Sequence, residues 1–293
     1  MWWKRKKNND EQLIGKIASN LADINQISRF LLQTNLYFNN LRGESYRNPF
    51  NNFGKKMFSQ TDEDGLTFEI VRRLGLHKGT LAEFGVGDGM ENNTLALIAA
   101  KWRGFWAGNE DLAFDPNPER REAVNFAYIK TFITRGNVLD IIRRGLETIR
   151  KQQIDLISID LDGNDIHFVE LMLAKGIAPK VFIVEYNAKF IPPVDWRMDY
   201  ADDYKWDSTD YTGASFSAFH ALFKANGYFP VCCNGFSGVN AFFARNEYRS
   251  LFPEVPEDID RIWCPPMYFL RRYYGHRQSV RTVTQIFRDL QRD

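Results

Sequence analysis

The sequence predicts a mixed α/β fold: a mostly parallel, seven-stranded sheet closing in an antiparallel C-terminal hairpin, with an N-terminal helical arm and a C-terminal helical tail. Three observations predict it. Short apolar runs recur between residues 80 and 246, helix-spaced segments separate most of them, and the last two runs are joined by only GFSG. Strands alternating with helices bury both faces of a parallel sheet, whereas so short a link cannot carry a helical crossover and demands an antiparallel turn.

Taken in order, Leu13, Ile14, Ile17, Leu21, Ile24, Ile27 and Leu31 recur at helical spacing between Glu11 and Leu41. This reads as one long amphipathic helix or two shorter ones, expected to pack against its own domain, with homodimer formation as the alternative. The Asn-, Gly- and charge-rich RGESYRNPFNNFGKKMFSQTDEDG reads as a linker leading to a helix near Leu66 to Leu74. Strands are expected at TLAEFGV, GFWAGNE, AYIKTFIT, IDLISID, KVFIVEY, GYFPVCCN and NAFFARN. Helices are expected at Asn93 to Lys101, Pro118 to Phe126, Leu139 to Arg150, Ile166 to Ala174 and Ser215 to Asn226. The tail from Met267 to Asp293 is basic and reads as helical. The chain therefore divides into an arm and linker (1–58), a main domain (59–249) and an extension (250–293).

At 293 residues and 34.2 kDa the chain can bury a sizeable core. A net charge of +1 implies neither a nucleic-acid-binding field nor an acidic tail. Cys232, Cys233 and Cys264 show no disulfide framework and no metal-ligand spacing, which fits a reducing cytoplasm. MWWKRKKNND lacks an apolar run of signal or membrane-span length behind it. Trp2, Trp3 and the neighbouring cations read as a solvated terminus, with peripheral membrane contact as the alternative.

In EFGVGDGMENN, Gly85, Gly87 and Gly89 follow the first apolar run, with acids at Glu83, Asp88 and Glu91. Open parallel sheets bind ligands beyond the carboxyl ends of their strands, where the strand order reverses. Glycines there let a ligand approach the backbone, and a helix starting near Asn93 is expected to offer unpaired N–H groups. A phosphate loop would also be glycine-rich, but this turn lacks a Gly-Lys-Ser/Thr ending and its acids would repel a pyrophosphate. It suits a cationic or neutral ligand such as S-adenosylmethionine, which carries an ammonium and a sulfonium; a merely tight strand-to-helix turn is the plain alternative. An acid at the end of the next strand is expected to bind ribose hydroxyls, and GFWAGNEDL offers Glu110, with Asn109 and Asp111 beside it. Asn137 in TRGNV is placed either to read adenine or to serve as a helix cap or turn residue.

LISIDLDGNDIHFVE packs Asp160, Asp162, Asn164 and Asp165 into six residues after the fourth strand. Carboxylates this close raise one another's pKa or hold a cation. In an extended segment Asp160 and Asp162 would point the same way. Asp162 first, and Asp160 second, are candidates for the base that takes a proton from a substrate hydroxyl, with Asp160 also beside the cofactor. VEYNAKFIPP brings Glu185 and Asn187 alongside, so Asp160, Asp162, Glu185 and Asn187 also describe a Mg²⁺ site of oxygen ligands; helix caps and a solvated turn are the plain reading. His167 and His220 are weighed as proton-transfer groups against ordinary packed histidines, and His167 is retained as a catalytic candidate. WRMDYADDYKWDSTDYTGAS is long, acidic and aromatic. It is expected to form an ordered lid or acceptor wall, with Trp206, Asp207, Asp210, Tyr211 and the nearby His220 facing the substrate.

SQTDEDG, EFGVGDGMENNT, FITRGNV, SIDLDGND, VEYNA, WDSTDYTGAS and NAFFARNEY follow one another from about Ser59 to Asn246. With these motifs the chain resembles the class I S-adenosylmethionine-dependent methyltransferases, and more narrowly the bacterial FkbM-like methyltransferase-domain proteins often associated with surface-glycan loci. The resemblance implies a Rossmann-like sheet and places cofactor contacts on Glu83, Gly85, Gly87 and Asp88. Two positions depart from the family pattern: WAGNE stands where relatives show a strand-ending acid, and TDEDG where they often read Gly-Glu-Asp-Gly. Residues 1–58 and 250–293 lie outside it. The expected activity is methylation of a hydroxyl, most plausibly on a sugar or glycan. The rivals are a non-catalytic methyltransferase-fold protein that binds a partner through its terminal extensions, and a nicotinamide oxidoreductase, which the acidic turn disfavours.

Overall fold

A computed structural model describes residues 2–42, 48–116 and 125–266. Helix α1 (Trp2–Arg42) leads to a short 3-10 turn at Pro49–Phe53 and to α2 (Glu63–Arg73). There follow β1 (Thr80–Phe84), α3 (Leu95–Ala99), β2 (Arg103–Gly108), β3 (Phe126–Lys130), α4 (Val138–Thr148) and β4 (Leu156–Ile159). The remainder comprises α5 (Asp165–Ala174), β5 (Val181–Glu185), α6 (Phe216–Ala225), β6 (Tyr228–Cys233) and β7 (Asn240–Arg245). The strands form where the apolar runs predict them. The helix expected from Pro118 lies almost wholly outside the described residues, as do the basic tail from Met267 and the side chains of Trp2, Trp3 and their cationic neighbours.

The sheet order is β3-β2-β1-β4-β5-β7-β6, with β1 to β5 parallel and β7 antiparallel to both of its neighbours. From β1 the chain steps outward to β2 and β3, then returns across β1 to β4, so the order reverses between β1 and β4. This Rossmann-like winding leaves a crevice at their carboxyl ends. Because β7 runs backwards, its first residue, Asn240, pairs with Glu185 at the end of β5 and arrives at the same edge.

Every residue of β1 and β4 is buried, as expected of strands covered on both faces. Under α6 the core is aromatic: the Phe223 and Phe243 rings stack at 4.2 Å, and Phe182 lies 5.1 Å from Phe223. Edge strand β6 accommodates Pro230 beside a bulge, where a missing N–H costs little. Its outer carbonyls are covered by Asn48 and Asn51, which donate to Val231 (2.8 Å) and Cys233 (2.7 Å). The core takes in Phe50 on one side and Phe252, Val255, Ile262 and Cys264 on the other. The packed unit thus reaches past residues 59 and 249 at both ends. The three cysteines are buried free thiols.

Helix α1 departs from expectation. Its stripe from Leu13 to Leu31 does not pack against the domain, since Leu13, Ile14, Ile17, Leu21, Ile24, Ile27 and Leu31 are all 51–65% exposed.

At the start of α2 the run Asp62-Glu63-Asp64 is buried, and each of its three carboxyls accepts hydrogen bonds. Asp64 gathers the N–H groups of Met57, Phe58 and Ser59 at 2.7–2.8 Å. Asp62 accepts from the N–H groups of Gly235 and Phe236, both at 3.1 Å. Asn234 donates to Glu63 (3.0 Å) and Ser237 (2.7 Å) while accepting from the Val239 and Asn240 N–H groups. One amide therefore ties α2 to the β6–β7 hairpin. Asn234→Ala strips donors from buried acids and is expected to lower stability by about 2–4 kcal/mol. Urea unfolding measures this, and an unchanged midpoint would refute the role.

Candidate functional site

Two clefts open at the carboxyl edge, one on each side of the glycine turn. The larger, about 530 Å³, runs from Gly85 and Gly87 past Glu110, Phe132, Asp160 and Asp162 to Trp206. The second, about 400 Å³, lies between the turn, Gln60 and Asn240. The three glycines do different work there. Gly85 has φ 86°, and a Cβ on it would sit 1.6 Å from the Asp160 carbonyl oxygen, so only glycine lets the ends of β1 and β4 touch. Gly87 has φ 50° and nothing within 4 Å of where its Cβ would be, which leaves bare backbone facing open space. Gly89 packs against Leu112, Phe114 and Trp106.

Glu83 is buried, and its carboxylate accepts from the N–H groups of Asn93 (2.9 Å) and Thr94 (3.1 Å) and from the Thr94 hydroxyl (2.6 Å). Glu83 thus takes the N–H groups of the two residues that lead into α3, so the acid positions the turn. Burial pushes its carboxyl up to about 7 against the pull of these bonds. Asp88 lines the second cleft and folds the turn by accepting from the Met90 N–H at 3.0 Å. Glu110 lines the main cleft, while Asp111 turns away to pair with Lys130 at 2.6 Å. Asn137 is a turn residue. Its amide accepts from the Thr134 N–H and donates to the Phe132 carbonyl, both at 2.8 Å, and the cleft wall there is built instead by Phe132 and Ile133.

The acidic signature converges, though not by strand alternation. β4 ends at Ile159, and Asp162 sits in a turn with φ 55°. Asp165 holds that turn from inside, accepting from the Leu161 (2.8 Å) and Gly163 (3.0 Å) N–H groups. Asp160 and Glu185 are coupled in the interior, where burial and their mutual repulsion disfavour two full charges. Burial and then the Asp162 charge push Asp160 up to about 6. Burial and then Asp160 push Asp165 up to about 8. Glu185 is raised well above the usual carboxylate range by burial and by Asp160, Asp165 and Asp162. Asp162 lies at the mouth of the cleft, its carboxyl raised by partial burial and by Glu110.

The Mg²⁺ expectation does not fit these donors. The Asn187 amide donates to the Asp210 (3.0 Å) and Thr212 (2.9 Å) carbonyls and accepts from the Lys189 N–H (3.2 Å). Among the described residues, no group of three or more His, Cys, Asp or Glu side chains is arranged to hold a metal ion.

The segment after β5 folds back over the DGND turn and is fastened at three points to that turn and to α5. Thr212 donates to the Asp162 carbonyl (2.7 Å), Asn164 to the Ala201 carbonyl (2.8 Å), and His167 Nε2–H to the Met198 carbonyl (2.8 Å). His167 is therefore a buried fastener, its pKa lowered by burial, and no proton-transfer group. Trp206 lines the main cleft and, with Asp162, Glu185 and Asn187, a smaller cavity of about 60 Å³. The other expected acceptor residues stand behind this wall. Asp207 accepts from the Thr209 N–H and hydroxyl, Asp210 pairs with Lys189 at 2.6 Å, and Tyr211 is buried against Trp196. His220, half-buried on α6, is not among the residues lining these cavities.

Sequence reasoning missed Gln60, Asn92, Asn240, Phe132 and Tyr204 as lining residues. Asn240 carried a usable signal, because the first residue of an antiparallel strand lies at the carboxyl edge of its parallel neighbours.

No family model and no curated protein matches the chain, so the FkbM-like resemblance rests on the quoted motifs alone. Solved structures similar to it include a Lactococcus lactis protein provisionally assigned as a hemolysin (10% identity, 64% of this chain and 89% of that one, TM-score 0.35). Another is an O-methyltransferase family 2 protein from Planctomyces limnophilus in complex with apigenin (11% identity, 73% of this chain and 61% of that one, TM-score 0.27). At these scores neither likeness bears on function.

The raised carboxyls set a pH dependence. Glu83, Asp160 and Asp165 hold protons in the folded chain at pH values where the unfolded chain has released them. Stability therefore falls as pH climbs from about 4 to about 8. The thermal midpoint is expected to be higher near pH 5 than above pH 8, and Asp165→Asn to flatten the slope; a midpoint that rises over this range would contradict the cluster.

Proposed function

We propose that this chain is an S-adenosylmethionine-dependent methyltransferase acting on a hydroxyl oxygen, with a sugar or glycan as the acceptor. The observation that carries the reading is the charge of the switch-point clefts. Glu110 and Asp162 line one, and Asp88 and Glu91 the other. Among the described residues lining the two, Lys205 alone is basic. Such a field favours a ligand bearing ammonium and sulfonium charge and penalises a pyrophosphate.

The residues present fit the cofactor. Gly87 leaves an uncovered backbone, and Asn92 and Asn240 each keep a buried amide oxygen without a hydrogen-bond partner beside the second cleft. Glu110 would hold the ribose hydroxyls, Phe132 and Ile133 the adenine, and Asp88 and Glu91 the ammonium. When bound, the cofactor supplies a methyl group made electrophilic by its sulfonium.

The chain's own residues do the rest. Asp162, held in its turn by Asp165 and Thr212, accepts the acceptor's hydroxyl proton at its carboxylate. Burial and mutual repulsion in the Asp160–Glu185 pair lower the negative charge of the floor beneath it. Trp206 offers a flat apolar surface to a sugar ring, and the fastened segment around it excludes water and fixes the approach. The motif resemblance supports the same assignment.

Calorimetric titration with S-adenosylmethionine and S-adenosylhomocysteine tests the reading. Micromolar binding of both is expected, weakened about tenfold by Glu110→Ala, the loss of one or two hydrogen bonds. No heat with either ligand would overturn it. Asp162→Asn is expected to leave cofactor affinity within about twofold while lowering methyl transfer to a hydroxyl acceptor by about 100-fold or more. Release of S-adenosylhomocysteine reports that rate, and an unimpaired variant would remove Asp162 from the chemistry.

A further inference from the structure

We propose that α1 is an assembly element that forms a parallel helical bundle with other copies of this chain. The proposal is independent of the proposed activity. Every large apolar side chain from Leu13 to Leu32 is 41–65% exposed. These nine residues present on the order of 1,000 Å² per copy, against the roughly 800 Å² that each partner buries in a stable interface. A helix of this length gains most of its stability from packing an apolar face, and the domain covers none of this one.

The spacing names the occupant. Leu13, Ile17, Asn20, Ile24, Ile27 and Leu31 alternate in steps of four and three, the 3.5-residue repeat of a supercoiled helix seam. Ile14 and Leu21 flank that seam and widen it. A helix carrying such a stripe is complementary to itself. Asn20 sets the direction: parallel and in register, the Asn20 amides meet and pair, whereas an antiparallel arrangement buries each against apolar side chains.

The polar face argues against a lipid surface. From Gln12 to Gln33 the charged residues are Lys16, Asp23 and Arg29 alone, and the rest of that face is Asn, Gln, Ser, Ala and Gly. Helices that lie on anionic membranes carry rows of Lys and Arg there.

Light scattering of the full chain after size exclusion tests the inference. The expected mass is a multiple of 34.2 kDa, falling to 34.2 kDa for the double variant Ile17→Lys/Ile24→Lys, with the thermal midpoint of the sheet domain unchanged. A monomeric wild type, or a double variant that keeps the assembled mass, overturns the proposal. So does monomeric wild type that floats with phosphatidylserine vesicles, which would make α1 a membrane helix. Because the native thiols are buried, Asn20→Cys tests the register. Under mild oxidation it is expected to give a disulfide-linked pair on a non-reducing gel, and absence of that pair in an assembled sample overturns the parallel arrangement.

Discussion

The close approach of β1 and β4 at Gly85 and the Asp160 carbonyl is the contact on which the site depends. A side chain at position 85 would drive the two strand ends apart. With glycine there, the chain leaves β1 at positive φ, and Glu83, two residues back, is aimed into the protein where it gathers the N–H groups of Asn93 and Thr94 ahead of α3. On the other side of the contact, β4 ends and the DGND turn begins. The crevice, the bare backbone at Gly87 and the position of Asp160 all follow from one missing Cβ.

Around that contact the protein concentrates carboxyl groups in a poorly solvated place, and they resolve into two kinds. Glu83 and Asp165 are internal ties, spending their oxygens on backbone N–H groups that shape the turns. Asp160, Glu185 and Asp162 share a space too small for three full charges, so burial and mutual repulsion lift them toward neutrality. A cluster of this kind is receptive to positive charge and to protons. Asp162 is the most exposed of the three, because its turn carries it out beyond the strand end.

The segment from Met198 to Gly213 converts an open crevice into an enclosed site. Its attachments are mostly between side chains of the DGND turn or α5 and backbone carbonyls, so the wall is positioned by the same turn that presents Asp162. Tyr204, Lys205 and Trp206 are the part of it that faces the main cleft. The acids and tyrosine around it hold the wall together from behind, which explains why an acidic, aromatic segment presents so little of its polarity to the cleft.

The amino-acid sequence by itself determined the strands, their alternation with helices and the terminal hairpin, because apolar periodicity and link length are local properties that burial on both faces enforces. It also determined that Gly85, Gly87, Glu110, Asp160 and Asp162 belong to one edge, since all follow the ends of parallel strands. Tertiary structure alone decided what each does there. Whether Glu83 meets a ligand or a helix N-terminus, whether Asn137 reads a base or closes a turn, and whether His167 moves a proton or fastens a wall depend on partners far along the chain. Asn240 and Gln60 reach the site only because β7 runs backwards and α2 is tied to its hairpin. The apolar stripe of α1 was legible as a stripe, but its exposure was not: periodicity reports that a face must be covered, and only the folded chain shows that its own domain leaves it bare.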